Sequence, residues 1–270
     1  MRPITIAAAA FLALMPTAAA VASGPESLRD CREQTDPDRV TQACSAVIDA
    51  GASETARNRA TAYIYRAGVY LQKNDRPRAL ADYDAAIATD PTFSHGFFQR
   101  GLFYHRGGDL VRAKADYDAA LKIDTKLIPA YLNRGTIHYQ LLSYRLALAD
   151  FDSAVALKPD DPDLLHNRGL ARLALGRIDP AISDFSRALE HAPQFPRFWF
   201  NRGRAQGAKA EFAAAASDFA AALERDAGYT LAQTCLTAAK EAQAAKDAKR
   251  RPFFPMQCLR DVPTPPRPSL

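Results

Sequence analysis

A row of side-chain amides recurs along the chain at a constant spacing. The row consists of Gln99, Asn133, Asn167 and Asn201, each 34 residues from the next. A carboxamide carries a hydrogen-bond donor and an acceptor, the two kinds of group that an extended peptide backbone presents. The row therefore suits contact with main-chain groups of any sequence. The alternative is that these amides only stabilise the structure on which they stand.

Two rows of opposite charge follow the same spacing. The arginines are Arg66, Arg100, Arg134, Arg168 and Arg202. The aspartates are Asp82, Asp116, Asp150, Asp184 and Asp218. Charged rows in constant register predict a ladder of ion pairs between helices, in which each partly exposed pair stabilises the fold by about 1 kcal/mol or less. We therefore interpret the arginines as structural.

The sequence contains no motif that typically carries catalysis or binds a metal ion. It lacks H-E-x-x-H, a Walker-type phosphate loop, the G-x-S-x-G elbow and G-x-G-x-x-G. The histidines lack ligand spacing, and the acidic pair Asp160-Asp161 lies in a predicted turn, where aspartate caps helices. We expect no catalytic residue, metal ion or cofactor, and an enzyme is the least favoured interpretation.

The amide row and the two charged rows all belong to a repeat of 34 residues in the middle of the chain. Each of five blocks begins with a bulky residue: Tyr63, Phe97, Tyr131, Leu165 or Trp199. Each block later carries an aromatic residue between two alanines: Tyr83, Tyr117, Phe151, Phe185 or Phe219. Apolar residues within a block recur at helical spacing, as do Leu80, Tyr83 and Ile87. Breaks such as Gly107-Gly108-Asp109 separate two such stripes, so each block predicts two helices joined by a turn.

This pattern resembles the tetratricopeptide repeat, a helix–turn–helix unit with bulky, small and proline positions in this order. The resemblance implies an all-α fold, a right-handed α-solenoid of about five full repeats. The repeats are expected at residues 60–93, 94–127, 128–161, 162–195 and 196–229. Stacked helix pairs bury a continuous core that one pair cannot bury alone.

In this family the first helix of each repeat lines a concave groove. The resemblance therefore implies a non-enzymatic scaffold that binds a protein or an extended peptide, with an apolar row beside the amide row. The candidate peptide-binding residues are Phe98, Gln99, Leu132, Asn133, His166, Asn167, Phe200 and Asn201. The alternative is a non-catalytic subunit that binds an envelope glycan or polymer, with Phe98, Trp199 and Phe200 stacked on sugars.

The two ends of the repeat array differ from the blocks between them. Residues 25–59 predict a divergent helical hairpin that caps the array, with Cys44 at the aromatic position. Residues 230–251 predict a single capping helix with a polar outer face, as the end of a solenoid requires. Residues 252–270 form a proline-rich tail that we expect to be irregular.

Four cysteines lie near these ends and suit an oxidising compartment. None forms C-x-x-C, which argues against a zinc ribbon or a thioredoxin-type pair. We expect disulfides between Cys31 and Cys44 and between Cys235 and Cys258, because an open solenoid separates its ends by more than the ~7 Å that a disulfide allows between Cα atoms. Four separate buried thiols are the alternative.

Residues 1–22 predict a secretory signal peptide. Arg2 precedes an apolar run, residues 4–15, that is too short to span a bilayer, and A-x-A cleavage sites follow. An N-terminal membrane anchor is the alternative. We expect a mature chain without a transmembrane segment in the bacterial periplasm, although the signal also allows complete secretion.

The net charge of +5 is too small to indicate nucleic-acid binding, which usually needs a strong basic patch. The basic excess gathers late, in Lys246, Lys249, Arg250 and Arg251. Cations are favourable at the C-terminal end of a helix, where they meet the negative pole of its dipole. An acidic partner or an anionic surface is the alternative interpretation of this run.

Overall fold

The computed structural model describes residues 25–259, and within that range the chain is helical with no β-strand. The predicted signal peptide and the tail beyond residue 259 lie outside the described residues. The helices are α1 (Pro25–Glu33), α2 (Pro37–Asp49), α3 (Ala56–Gln72), α4 (Arg76–Thr89), α5 (Ser94–Arg106), α6 (Leu110–Ile123), α7 (Ile128–Gln140), α8 (Tyr144–Leu157), α9 (Pro162–Ala174), α10 (Ile178–His191), α11 (Pro196–Ala208), α12 (Phe212–Arg225) and α13 (Thr230–Asp247). Short 3-10 turns lie at Gly51–Ser53 and Met256–Cys258.

The chain divides inside α4 into two compact units, Met1–Asp82 and Tyr83–Leu270. In the first unit, α1 and α2 form a hairpin that packs on α3 around Val40, Val47 and Val69. A disulfide joins Cys31 to Cys44, whose Cα atoms lie 4.8 Å apart. The loop closed by this bond stabilises the hairpin by about 3 kcal/mol, mainly by restricting the unfolded chain.

In the second unit, consecutive helices pack against one another from α5 to α13. A glycine in the first helix of a pair faces an aromatic ring in the second. A Cβ atom on Gly135 would lie 2.7 Å from the ring of Phe151, and one on Gly169 would lie 2.6 Å from the ring of Phe185. These distances are too short for any larger residue, so the glycines let the paired helices approach closely.

The arginine row joins each helix pair to the pair before it. Nε and Nη2 of Arg134 in α7 donate to the two carboxylate oxygens of Asp150 in α8, at 3.0 and 2.5 Å. Nη1 of Arg134 donates to Asp118 in α6, at 2.7 Å. The same two-bond fork recurs in Arg66–Asp82, Arg100–Asp116, Arg168–Asp184 and Arg202–Asp218. The predicted ladder of ion pairs is confirmed, and each arginine makes an additional link to the preceding pair that was not predicted from the sequence.

The turn inside each repeat places one residue in the left-handed region of the backbone. These residues are Asn74, Gly108, Leu142, Gly176 and Ala210, with φ angles of 59°, 80°, 58°, 71° and 60°. Glycine and asparagine adopt this conformation readily, whereas leucine does so at a cost in free energy. The side chain of Leu142 is also 70% exposed. Packing therefore does not compensate for the backbone conformation of Leu142.

Candidate functional site

The amide row stands on the first helices of four consecutive pairs. Gln99 lies in α5, Asn133 in α7, Asn167 in α9 and Asn201 in α11. Gln99 is half-buried, whereas the three asparagines are buried, with exposed fractions of 1%, 7% and 8% in chain order. The row is therefore recessed in the surface rather than projecting from it.

Two members of the row are held by residues one turn earlier on the same helix. Nδ2 of Asn167 donates to the main-chain oxygen of Asp163 at 2.8 Å. Nε2 of Gln99 lies 3.1 Å from Nε2 of His95. Among residues 25–259, the side-chain oxygens of Asn167 and Gln99 accept no hydrogen bond from the protein. Each carbonyl therefore remains able to accept a hydrogen bond from a ligand N–H group.

Asn201 belongs instead to a buried polar chain. Its Nδ2 lies 2.8 Å from Nε2 of His166 in α9, and its Oδ1 accepts a hydrogen bond from Nη1 of Arg204 at 2.8 Å. Burial, together with the positive charges of Arg197 and Arg204, lowers the pKa of His166 to about 3, so the imidazole is neutral and its Nε2 can accept from Asn201. Burial also lowers the pKa of Arg204, to about 10, which leaves it charged at neutral pH. Both ends of the Asn201 amide are thus engaged within the protein.

The apolar row that was expected beside the amides lies largely in the core. Phe98 is 3% exposed and its ring lies 5.9 Å from that of Tyr117. Phe200 is 4% exposed and lies 5.5 Å from Phe219. His166 is likewise buried, and Leu132 alone in this row is half-buried. Direct contact between this row and a ligand stays a prediction. Because Phe98, His166 and Phe200 are buried, only Leu132 is exposed enough to make such a contact.

The surface expected for stacking on sugars is not assembled. Phe98 and Phe200 are buried, as described above. Trp199 is half-buried, its Nε1 donates to the main-chain oxygen of Pro193 at 2.8 Å, and the guanidinium of Arg225 lies 4.6 Å from its ring. Phe98 and Phe200 therefore offer no exposed ring beside Trp199, and glycan binding stays a prediction that depends on Trp199 alone.

Residues 252–259, which we call the C-terminal strap, pack on the last repeat. The ring of Phe254 lies against Gly207 in α11, and its centroid is 5.6 Å from that of Phe212 and 6.5 Å from that of Phe219. A disulfide joins Cys258 to Cys235 in α13, with Cα atoms 5.6 Å apart. These contacts cover one end of the second unit.

The strap also reaches the amide row. Nη2 of Arg204 donates to the main-chain oxygen of Leu259 at 3.1 Å, and the other end of the same guanidinium holds Asn201. Cys235 stands 34 residues after Asn201, so the disulfide occupies the next position of the row. The strap therefore covers the row from Asn201 onward and leaves α5, α7 and α9 uncovered by it.

Arg204 and Gly207, which receive the strap, were not among the residues predicted from the sequence to form a site. A signal was present in the repeat itself. The residues that precede Gly207 at steps of 34 are the larger His105, Tyr139 and Leu173. Those that precede Arg204 are the uncharged Leu102, Thr136 and Leu170. Two departures from the repeat on one helix indicate a contact that the other repeats do not make.

Neither a metal site nor a membrane-spanning helix is found in the part of the chain that the structure describes. Within residues 25–259, no three histidine, cysteine, aspartate or glutamate side chains come together as metal ligands. No helix in the same range combines the length and the apolar composition needed to cross a bilayer.

Two family models, both described as tetratricopeptide repeat, match the sequence. One covers residues 50–128 and the other residues 143–198. Among curated proteins, no sequence matches this chain significantly.

Several solved structures have a similar fold. The crystal structure of YrrB is 24% identical over 72% of this chain and 97% of its own, with a TM-score of 0.63. MamA from Desulfovibrio magneticus RS-1 is 21% identical over 63% of this chain and 96% of its own, with a TM-score of 0.58. PilF of Pseudomonas aeruginosa is 20% identical over 72% of this chain and 87% of its own, with a TM-score of 0.59. At these identities the similarity concerns the fold alone.

Proposed function

Because the chain is a tetratricopeptide-repeat protein with an all-α solenoid fold, we propose that it is a non-enzymatic scaffold that holds an extended segment of another protein. Repeats of this family are generally interaction modules rather than catalysts. The proposed binding surface consists of the faces of α5, α7 and α9 that carry the amide row.

The observation that carries the proposal is the state of the amides of Gln99 and Asn167. In each, the nitrogen has a partner one turn earlier on the same helix, while the oxygen has none within residues 25–259. An amide whose nitrogen is already engaged keeps a defined orientation, and its oxygen then accepts from a backbone N–H of the ligand. Leu132 lies between Gln99 and Asn167 in the sequence and is half-buried, so it supplies apolar contact to the ligand.

The strap sets one limit of this surface. Asn201 is engaged by His166 and Arg204, and Arg204 in turn holds the strap. A ligand that used Asn201 would have to displace these bonds, so we place the site on the three preceding first helices. Asn133, at 1% exposure, contributes only if the ligand opens the surface around it.

Similar proteins support an interaction role. YrrB is described as a TPR protein with an unusual peptide-binding site. PilW, which is 20% identical over 74% of this chain, is described as a widely conserved type IV pilus biogenesis factor. With the predicted signal peptide and the two disulfides, these parallels favour a partner in the cell envelope, reached by an exported chain.

The proposal is tested by selecting ligands from phage-displayed random peptides of about 12 residues, which extend to ~40 Å and cross three neighbouring first helices. Selected peptides are then titrated against the wild type and against a Gln99→Ala, Asn167→Ala double variant. Loss of two hydrogen bonds should weaken binding about tenfold or more.

The matched control is a Gln194→Ala, Gln233→Ala double variant, which removes two exposed amides outside the row. It should bind as the wild type does. Failure of the wild type to select any peptide, or an equal loss of affinity in the control, would contradict the proposal. Far-UV circular dichroism of each variant separates a lost site from a lost fold.

A further inference from the structure

The end of α13 and the strap carry an exposed patch that the proposed groove does not use. Its residues, which we call the basic–apolar patch, are Lys249, Arg250, Arg251, Phe253 and Met256. All five are exposed, Phe253 to 77% and Met256 to 56%.

The helix end does not account for the three cations of the patch. All three follow Asp247, the last residue of α13, and main-chain bonds already close that helix end: Lys249 N–H donates to Lys246 O at 3.0 Å and Arg250 N–H to Ala245 O at 2.8 Å. Lys249 adopts a φ of 55°, a left-handed conformation that favours glycine at a helix end. Arg250 and Arg251 form no ion pair with any residue from 25 to 259. Local stability therefore does not explain the charges.

The exposure of Phe253 and Met256 cannot be attributed to an unattached strap, because the strap is bound to the repeats at several points. Phe254 and Cys258 face the repeats, and the main chain of Leu259 is bonded to Arg204. Met256 lies between these attachments and Phe253 lies directly before the first of them, yet both remain exposed. Large apolar side chains on an anchored segment indicate a surface that meets a partner.

We propose that the basic–apolar patch binds the surface of an anionic phospholipid membrane. Clustered lysine and arginine side chains are attracted to anionic headgroups, and exposed phenylalanine and methionine side chains enter the boundary between headgroups and acyl chains. Side chains that protrude beside cations suit a soft surface that yields to them, whereas a folded protein would need matching pockets. This role goes beyond the proposed scaffold function and uses none of its residues.

The test is sedimentation of the mature chain, residues 23–270, with vesicles. Vesicles of equal parts phosphatidylglycerol and phosphatidylcholine should retain the protein, and vesicles of phosphatidylcholine alone should not. Binding should fall steeply when salt is raised from about 0.05 M to about 0.5 M, because surface charges are then screened. Both a Phe253→Ser, Met256→Ser variant and an Arg250→Gln, Arg251→Gln variant should bind about tenfold more weakly or worse.

Two control variants change similar side chains elsewhere. Val111→Ser with Leu142→Gly removes exposed apolar residues, and Arg145→Gln with Arg177→Gln removes exposed cations. Both controls should bind vesicles as the wild type does. The proposal is overturned if anionic vesicles retain no wild type, if the patch variants bind unchanged, or if only an acidic polypeptide such as poly-glutamate is bound. Peptide binding by the groove is unaffected by any of these outcomes.

Discussion

The ring of Phe254 occupies the space that a side chain on Gly207 would need. A Cβ atom on Gly207 would lie 2.8 Å from Cζ of this ring, although the two residues belong to different segments. In the preceding repeats the equivalent positions hold His105, Tyr139 and Leu173. The last repeat therefore lacks a side chain at the place where the strap inserts one.

Gly207→Ala should destabilise the protein by about 1–3 kcal/mol, because the new methyl group must displace the aromatic ring. Gly68→Ala is the matched control, since a Cβ atom there meets nothing within 4 Å. The control should raise stability by up to about 1 kcal/mol, through helix propensity alone. Urea unfolding of both variants measures the difference, and equal shifts would show that the strap does not pack on Gly207.

Arg134→Ala should lower the free energy of unfolding by about 2–3 kcal/mol. The substitution leaves the buried carboxylate of Asp150 without its two-bond partner, and unpaired buried charge is costly. Arg145→Ala, at an exposed position, should change stability by less than about 0.5 kcal/mol. Thermal denaturation gives both values.

The same Arg134→Ala variant should keep its peptide binding at temperatures where it is folded. Loss of binding by a folded variant would assign Arg134 to the site and contradict its structural role.

His166 should make stability depend on pH. Its pKa is lowered from the ordinary 6.5 to about 3 by burial, so the unfolded chain binds a proton at a pH where the folded chain does not. The stability that the neutral imidazole contributes is complete above pH ~6.5 and is lost as pH falls towards ~3. By pH 5 the loss should reach about 2 kcal/mol.

The comparison variant for this prediction is His166→Leu, which installs the residue type found at Leu132 in the preceding repeat. Its unfolding free energy should decline less between pH 7.5 and pH 5 than that of the wild type, by about 2 kcal/mol. The other histidines are the same in both proteins, so their contributions to the pH dependence of stability cancel. Parallel pH profiles would mean that His166 is protonated in the folded state.

Leu142→Gly should stabilise the protein by about 1 kcal/mol. Leu142 has a φ of 58° and an exposed side chain, so glycine relieves the backbone and removes little packing. The neighbouring Leu141→Gly is the control, because Leu141 has a φ of −84° and gains no relief. Destabilisation by both substitutions in chemical unfolding would show that the side chain of Leu142 packs in solution.

The repeat explains why much of the fold was predictable. Helix pairs, their turns and the pairing of Arg134 with Asp150 all recur at steps of 34 residues, so five weak signals reinforce one another. The link from Arg134 back to Asp118 was missed because two aspartates lie two residues apart in each of α4, α6 and α8. Only the packing of neighbouring pairs decides which of them a given nitrogen reaches.

The candidate site was less predictable. The positions of Gln99, Asn133, Asn167 and Asn201 on first helices followed from the period, but their partners did not. Asn167 turns to its own helix, whereas Asn201 joins His166 and Arg204. Equivalent amides make different hydrogen bonds because the residues around them, such as His166 and Arg204, do not recur at steps of 34 residues.

The sequence by itself determined the helix–turn–helix repeat, since local spacing of apolar, small and charged residues is enough to specify each unit and its contact with the next. The predicted disulfide between Cys235 and Cys258 already brings the strap to α13, but tertiary structure alone decided which residues of the last repeat receive it. Arg204 meets Leu259 across 55 residues that carry no periodic signal for this contact. Such a contact depends on the shape of the surface that the last helices form together, and that surface exists only once they are packed.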